Sequence, residues 1–465
     1  MTFSLKIGSP YTGIWERTQS RVFQLLSDVF LIATFMIDKL KALSSETMGG
    51  FYVEAQEFGI YQAIDWISRE ETSFRNRVNG VRRIRKIIEK GKADSVIRLG
   101  IVSRLAELLE KTKNDEIQGE IIWTLANIAA GPSRHTKLIM NKCTEIFLSI
   151  LKATKSIEVK KNIILAFGNI AGDNAGFRDN LLNAGVMSHC LTLLSELNSL
   201  EAERNYLWLL SNLCRHKDPY PKFMQISECV PILKAYLDHS DEEILNTACW
   251  SFNYISHFER SAVLDKDTIS KFVKLLSHQS KKIVASALVV CNNVASETVD
   301  EIQMLVDCGI LKELPKLLYI KDVTILNRVF ILISYITAKG ITHIQSLVDN
   351  NILEDLINIF KENGDYKQEI LYLIKNLICN GDENQINYAL SIGCIDILFE
   401  GLIMSKEICV NLAIESFLNL IIEECNFDIN IYVFKDIAKR LLDFQNNKNQ
   451  DIGKLVRAYS KKFLY

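Results

Sequence analysis

IIWTLANIAAG, at residues 121–131, decides the fold of this chain, because it comes back. The same frame reads IILAFGNIAGD at 163–173, YLWLLSNLCRH at 206–216, ACWSFNYISHF at 248–258 and SALVVCNNVAS at 286–296. It continues as VFILISYITAK at 329–339, ILYLIKNLICN at 370–380 and AIESFLNLIIE at 413–423. Each copy is an apolar helix with Asn, or Tyr in its place, near its end: Asn127, Asn169, Asn212, Tyr254, Asn293, Tyr335, Asn376 and Asn419. Successive spacings are 42, 43, 42, 39, 42, 41 and 43 residues, and eight registered copies exclude coincidence.

A second shared element fills the intervals. IQMLVDCGILKELPKLL (302–318), IQSLVDNNILEDLINIF (344–360) and INYALSIGCIDILFEGL (386–402) align without gaps, and DSVIRLGIVSRLAELLE (94–110) precedes the first copy. Each predicts a short helix, a small or polar break and an amphipathic helix. The unit is therefore three helices, one short and two longer. That count and a period near 42 residues are those of the armadillo repeat.

No single unit buries its apolar face alone, so the stack folds as one array. The predicted fold is all-α: a right-handed superhelical armadillo solenoid of about ten repeats. A length of 465 residues would otherwise suggest about three domains, yet the chain has only 6 Pro and 21 Gly and no linker to separate them. Residues 63–433 are read as repeats 1–9, with AIDWISREETSFRNRVNGVRRIRKIIEK (63–90) opening the first. Residues 434–465 are a divergent, Lys/Arg-rich capping repeat, and residues 1–62 a separate N-terminal segment.

Composition excludes several functions. A net charge of −2, from 54 basic and 56 acidic residues, argues against direct nucleic-acid binding. The most apolar run, VFLIATFMI at 29–37, is nine residues long, whereas a membrane span needs about 20; membrane insertion is not expected. Eleven cysteines are scattered singly with no CxxC or Cys/His cluster, so neither a metal site nor a cofactor is expected, and the usage fits a reducing compartment. The seven His form no triad or metal spacing, and P-loop, GxGxxG and GxSxG motifs are absent; catalysis is not expected.

The third helix of each unit lines the concave surface of such a solenoid. Trp123, Trp208 and Trp250 each stand four residues before Asn127, Asn212 and Tyr254, so ring and polar partner share a helix face. Three of five Trp in one register indicate a repeated role. Indole faces accept the aliphatic stems of Lys and Arg, cation–π attraction adds ~0.5–2 kcal/mol each, and Asn amides donate to and accept from a ligand main chain. Helix layers ~8–10 Å apart match two to three residues of an extended peptide at ~3.3 Å each. The register suits an extended basic peptide.

WTLANIAAGPSRHT, AFGNIAGDNAGFRD, RNYLWLLSNLCRHKDPYP and ACWSFNYIS closely resemble the armadillo repeats of importin-α (karyopherin-α), the adaptor for nuclear localisation signals. The resemblance runs from about Ala63 to the C-terminus and is strongest over 117–255. It implies a nuclear-import adaptor, found in cytoplasm and nucleus, whose major signal site contains Trp123, Asn127, Asn169, Trp208 and Asn212. Gly131, Thr136 and Asp173 would form the pocket for the signal's key lysine, with Asn162 and Asn205 flanking. A minor site would use Trp250, Tyr254, Asn293, Glu369, Tyr372 and Asn376. Departures are clear: Leu165 stands where the family has Trp, and Thr247 where it has Asp. Ile331 and Tyr372 occupy Trp positions, Tyr335 an Asn position and Arg328 an acidic one. The minor site is eroded, and monopartite signals are expected to dominate.

The family's partners would be basic-signal cargo, importin-β and an export receptor that contacts the last repeat. Residues 1–60 hold 5 basic and 6 acidic residues and no basic run, so an importin-β docking segment is not evident. VRRIRK at 81–86 reads as repeat surface. The alternative function is an armadillo interaction scaffold outside nuclear import.

Overall fold

The structure is a computed structural model that describes residues 59–463 apart from 197–198, 216–217, 363, 425–430 and 445–448. Most of the N-terminal segment, residues 1–58, lies outside the described residues. Among the described residues every regular element is a helix. The third helices of successive units are α1 Phe74–Glu89, α2 Asp115–Ala129, α3 Ile157–Asp173, α4 Leu200–Cys214 and α5 Glu242–Ser256. They continue as α6 Lys281–Ala295, α7 Val323–Ala338, α8 Lys367–Asn380 and α9 Glu407–Glu424. Each packs against the next, so the nine form one continuous layer, as the 42-residue register requires.

Several of these helices start where a short polar side chain caps them. Asn114 accepts from the N–H of Glu116 and Ile117, Ser156 from Val159, Ser199 from Ala202, Asp241 from Glu243 and Ile244, and Asp322 from Thr324 and Ile325. Each cap satisfies backbone donors that the helix cannot satisfy itself and contributes about 1 kcal/mol. Past the caps the helices are apolar on most sides. In α3, Val159, Ile163, Ile164, Phe167 and Ile170 are all fully enclosed, because a layer lies above, another below and the unit's own outer helices behind. Burying each such side chain contributes ~1.5–3 kcal/mol.

Glycine makes the corner between the two outer helices. Gly100, Gly185, Gly309 and Gly393 have φ of 77°, 78°, 91° and 107°, and Asn351 takes φ 56° at the same place. Only Gly, and to a lesser degree Asn, visits this left-handed region cheaply. The register puts Lys142 there in the second unit. Lys resists that turn, and the two expected helices run on as a single one, Ser133–Ala153. The three-helix unit is thus corrected to two helices at this position.

At the C-terminal end Ile431–Leu442 and Gln450–Phe463 pair, and Gln450–Phe463 packs against α9. Tyr459 Oη donates to Phe417 O at 2.6 Å and its ring meets Phe417 edge-on at 6.0 Å. Lys and Arg residues cluster on these two helices. No single described helix is long and apolar enough to cross a membrane.

Candidate functional site

The period places Trp123, Leu165, Trp208 and Trp250 in one row along α2–α5, and Asn127, Asn169, Asn212 and Tyr254 one helical turn further on. All four of the first row are half-buried. A row seven residues before the Asn positions runs Glu120, Asn162, Asn205, Thr247, Ser286, Arg328 and Glu369.

The asparagines do more than face outward. Asn169 Nδ2 donates to Ala126 O at 3.0 Å, Asn212 Nδ2 to Gly168 O at 3.2 Å and Asn162 Nδ2 to Gly119 O at 3.1 Å. Each staples its helix to the main chain of the preceding layer. One amide proton is spent in this way, leaving the second proton and the carbonyl oxygen for a ligand. Asn127 Nδ2 reaches Glu89 Oε1 at 3.5 Å. Asn205 is half-buried with no hydrogen-bond partner among the described residues.

The glycines of GNIAGD belong to the same design. A Cβ on Gly168 would stand 2.2 Å from Trp208 Cζ3, and one on Gly172 would stand 3.1 Å from Asn212 Nδ2. The missing side chains of α3 make the room in which the aromatic and amide groups of α4 sit.

Asp173 is the last residue of α3. Ser133 Oγ, at the start of the helix after α2, donates to Asp173 Oδ1 at 2.7 Å, while Asp173 Oδ2 is buried with no partner. A carboxylate at a helix C-terminus faces the negative end of the helix dipole, and an unbonded buried acceptor is costly. Both penalties vanish when a cation arrives. Gly131 lies just past the C-terminus of α2, one layer away. A Cβ there would meet His135 Nδ1 at 2.9 Å. Thr136 is fully enclosed and its hydroxyl donates to Ala129 O at 2.9 Å.

Trp123 is already occupied on one side. The Arg85 guanidinium of α1 lies 3.7 Å from its ring centroid, and the same group bonds Glu89 Oε1 at 2.7 Å and Glu120 Oε2 at 3.3 Å. Sequence reasoning missed both Arg85 and Ser133. The signal for Ser133 was present in its 40-residue separation from Asp173. Nothing in the repeat frame marked Arg85.

Toward the C-terminal half, Trp250 is half-buried with its ring 6.1 Å from that of Tyr254, which is buried. Asn293 Nδ2 is held by Asn253 Oδ1 and Ser256 Oγ at 3.0 and 2.8 Å. Tyr372 is exposed, and Glu369 Oε2 and Asn376 Nδ2 are buried without partners.

Comparison with known proteins follows the same lines. The armadillo/beta-catenin-like repeat family model matches residues 90–130. The importin subunit alpha-8 of Arabidopsis thaliana is 30% identical over 390 residues, covering 81% of this chain and 87% of that protein. The chain belongs to the importin-α family. The importin subunit alpha-2 of Arabidopsis thaliana is 35% identical over 203 residues, and importin subunit alpha-1b of Oryza sativa subsp. japonica 32% over 241. Those two matches span 38% and 45% of the relatives' own length, less than half of each. A crystal structure of an engineered protein superposes with a TM-score of 0.72 over 88% of this chain and 99% of its own, at 20% identity, which speaks for the fold alone. Importin-α membership and the helical solenoid agree with the family expected from the repeat motifs.

Proposed function

We propose that this importin-α is a nuclear-import adaptor whose α2–α4 layer grips a Lys/Arg-rich nuclear localisation signal. One observation carries the reading: the Asp173 carboxylate, with one oxygen buried and unbonded, stands at the negative end of α3. A lysine ammonium there gains the Asp173 charge, the carbonyl-rich end of α2 around Gly131 and its three-donor geometry. Trp123, Asn127, Asn162, Asn169, Asn205, Trp208 and Asn212 line the approach, with Thr136 behind the pocket. Leu165 between Trp123 and Trp208 leaves each neighbouring slot with one aromatic wall.

Trp250, Tyr254, Asn293, Glu369, Tyr372 and Asn376 form a second, weaker stretch, so monopartite signals suffice. Basic-signal cargo is the principal partner. Importin-β and an export receptor acting on the C-terminal repeat complete the proposed cycle between cytoplasm and nucleus. In the proposed layout residues 63–433 are the repeat array, 434–465 its cap and 1–62 a segment apart.

The test is fluorescence titration of the full chain with a labelled Lys-rich signal peptide. Asp173→Lys is expected to abolish binding while the helical circular dichroism stays that of the wild type. Retained affinity in Asp173→Lys would exclude Asp173 as the counter-charge, and no binding by the wild type would favour an armadillo scaffold with other ligands.

A further inference from the structure

The C-terminal half of the ladder carries two opposite charges that no side chain among the described residues satisfies. Arg328 on α7 and Glu369 on α8 occupy the same register in neighbouring layers. Arg328 is half-buried, its Nε is buried without a hydrogen-bond partner, and it forms no ion pair among the described residues. Other half-buried arginines have a partner for the guanidinium even where Nε is unbonded: Arg82 and Arg85 pair with Glu120, Arg204 with Asp241 and Arg260 with Glu297, and Arg77 donates to the main-chain carbonyls of Arg69 and Glu70. Desolvation alone acts on the Arg328 guanidinium and pushes its pKa down, with no acidic group to offset it. One layer on, Glu369 Oε2 and Asn376 Nδ2 are also buried and unbonded. Beside them Ile331 is 38% and Tyr372 46% exposed, giving an apolar strip alongside both charges. Leaving a half-buried charge uncompensated is costly, and with the neutral Asn376 amide the two charges put three unsatisfied polar groups on adjoining layers.

We infer that α7 and α8 bind a peptide segment of mixed charge, with a ligand carboxylate on Arg328 and a ligand Lys or Arg on Glu369. Asn376 then donates to the ligand main chain. The inference rests on the proposed peptide groove and changes the chemistry of its C-terminal half from uniformly cation-seeking to dipolar. Layers ~8–10 Å apart match residues i and i+3 of an extended polyproline-II-like peptide, which share a face at ~3.1 Å rise per residue. The occupant is a cargo segment carrying an acidic and a basic residue three apart, joined by a linker to the Lys-rich signal.

The test uses the full chain and four labelled peptides: the Lys-rich signal alone, and the same signal joined by a flexible linker to a short arm reading Lys-x-x-Glu, Glu-x-x-Lys or Lys-x-x-Lys. The better of the two mixed arms is expected to bind at least about tenfold tighter than the Lys-x-x-Lys arm, the scale of one charge-assisted hydrogen-bonded pair. Arg328→Gln should erase that preference and Arg328→Glu reverse it, with affinity for the signal alone unchanged. Arg328→Lys, which keeps charge and fold, should retain part of it. Equal binding of all three arms by the wild type overturns the inference, including the case where another part of the chain or a second copy fills Arg328. Absence of binding by the signal alone sinks the adaptor reading as well, so the two failures are told apart.

Discussion

Gly168→Ala isolates the link between the α3 backbone and the aromatic slot above it. The added methyl would stand 2.2 Å from Trp208 Cζ3, 2.6 Å from Cε3 and 3.1 Å from Cη2. Ordinary carbon contacts lie at ~3.5–4.0 Å, so the indole must retreat by more than about 1 Å or change rotamer. Trp208 is half-buried, so its ring has room to move only toward the open side. Overpacking costs ~1–3 kcal/mol, while Ala in place of Gly returns about 1 kcal/mol of helix propensity. Net destabilisation should be about 0–2 kcal/mol. The effect on binding should be of similar size, because one slot worth ~0.5–2 kcal/mol loses its geometry; that is about 2- to 30-fold in Kd. The assays are urea denaturation followed by circular dichroism and fluorescence titration with a Lys-rich peptide. A variant as stable as the wild type, binding peptide with unchanged affinity, would refute the claim that Gly168 sets the Trp208 ring.

Arg85→Ala uncovers the second face of Trp123 and should tighten Lys-rich peptide binding about 2- to 10-fold, as read by the same titration; equal or weaker binding would show that Arg85 helps rather than blocks. Burial pushes the Cys143, Cys190, Cys249, Cys291 and Cys394 thiols up to about 12 and leaves them out of reach. Among the described cysteines, native protein treated with a thiol reagent at pH ~8, near the ordinary thiol value, should therefore react fastest at partly exposed Cys308 and Cys379; mass spectrometry of the labelled peptides checks this. The Lys234 ammonium and the Thr268 hydroxyl hold the Asp265 carboxyl down at about 2. Because the folded value is depressed, its contribution is present above the unfolded value near ~3.9 and is lost as pH falls through about 2. Asp265→Asn keeps the helix cap but should lower stability at pH ~6 by about 1 kcal/mol or less after solvent screening, and the gap should close toward pH ~2 in urea midpoints.

The repeat frame was legible because it is written in local terms. A spacing of about 42 residues, an apolar helix and an Asn near its end announced the solenoid, and the Trp/Asn register followed from i, i+4 geometry. Gly100, Gly185, Gly309 and Gly393 marked their corners. Lys142 in the same place was equally visible, yet only the structure drew its consequence, the fused helix Ser133–Ala153.

The amino-acid sequence by itself determined which residues share the ladder, since periodicity fixes the face on which a side chain emerges. Tertiary structure decided what each polar atom does there. Asn169 spends a proton on Ala126 O, Arg85 covers Trp123, Ser133 holds one oxygen of Asp173, and Arg328 Nε has no partner among the described residues. The partners in the first three come from a neighbouring layer about 40 residues away, chosen by rotamer and by the room that residues such as Gly168 leave. A one-dimensional register carries neither.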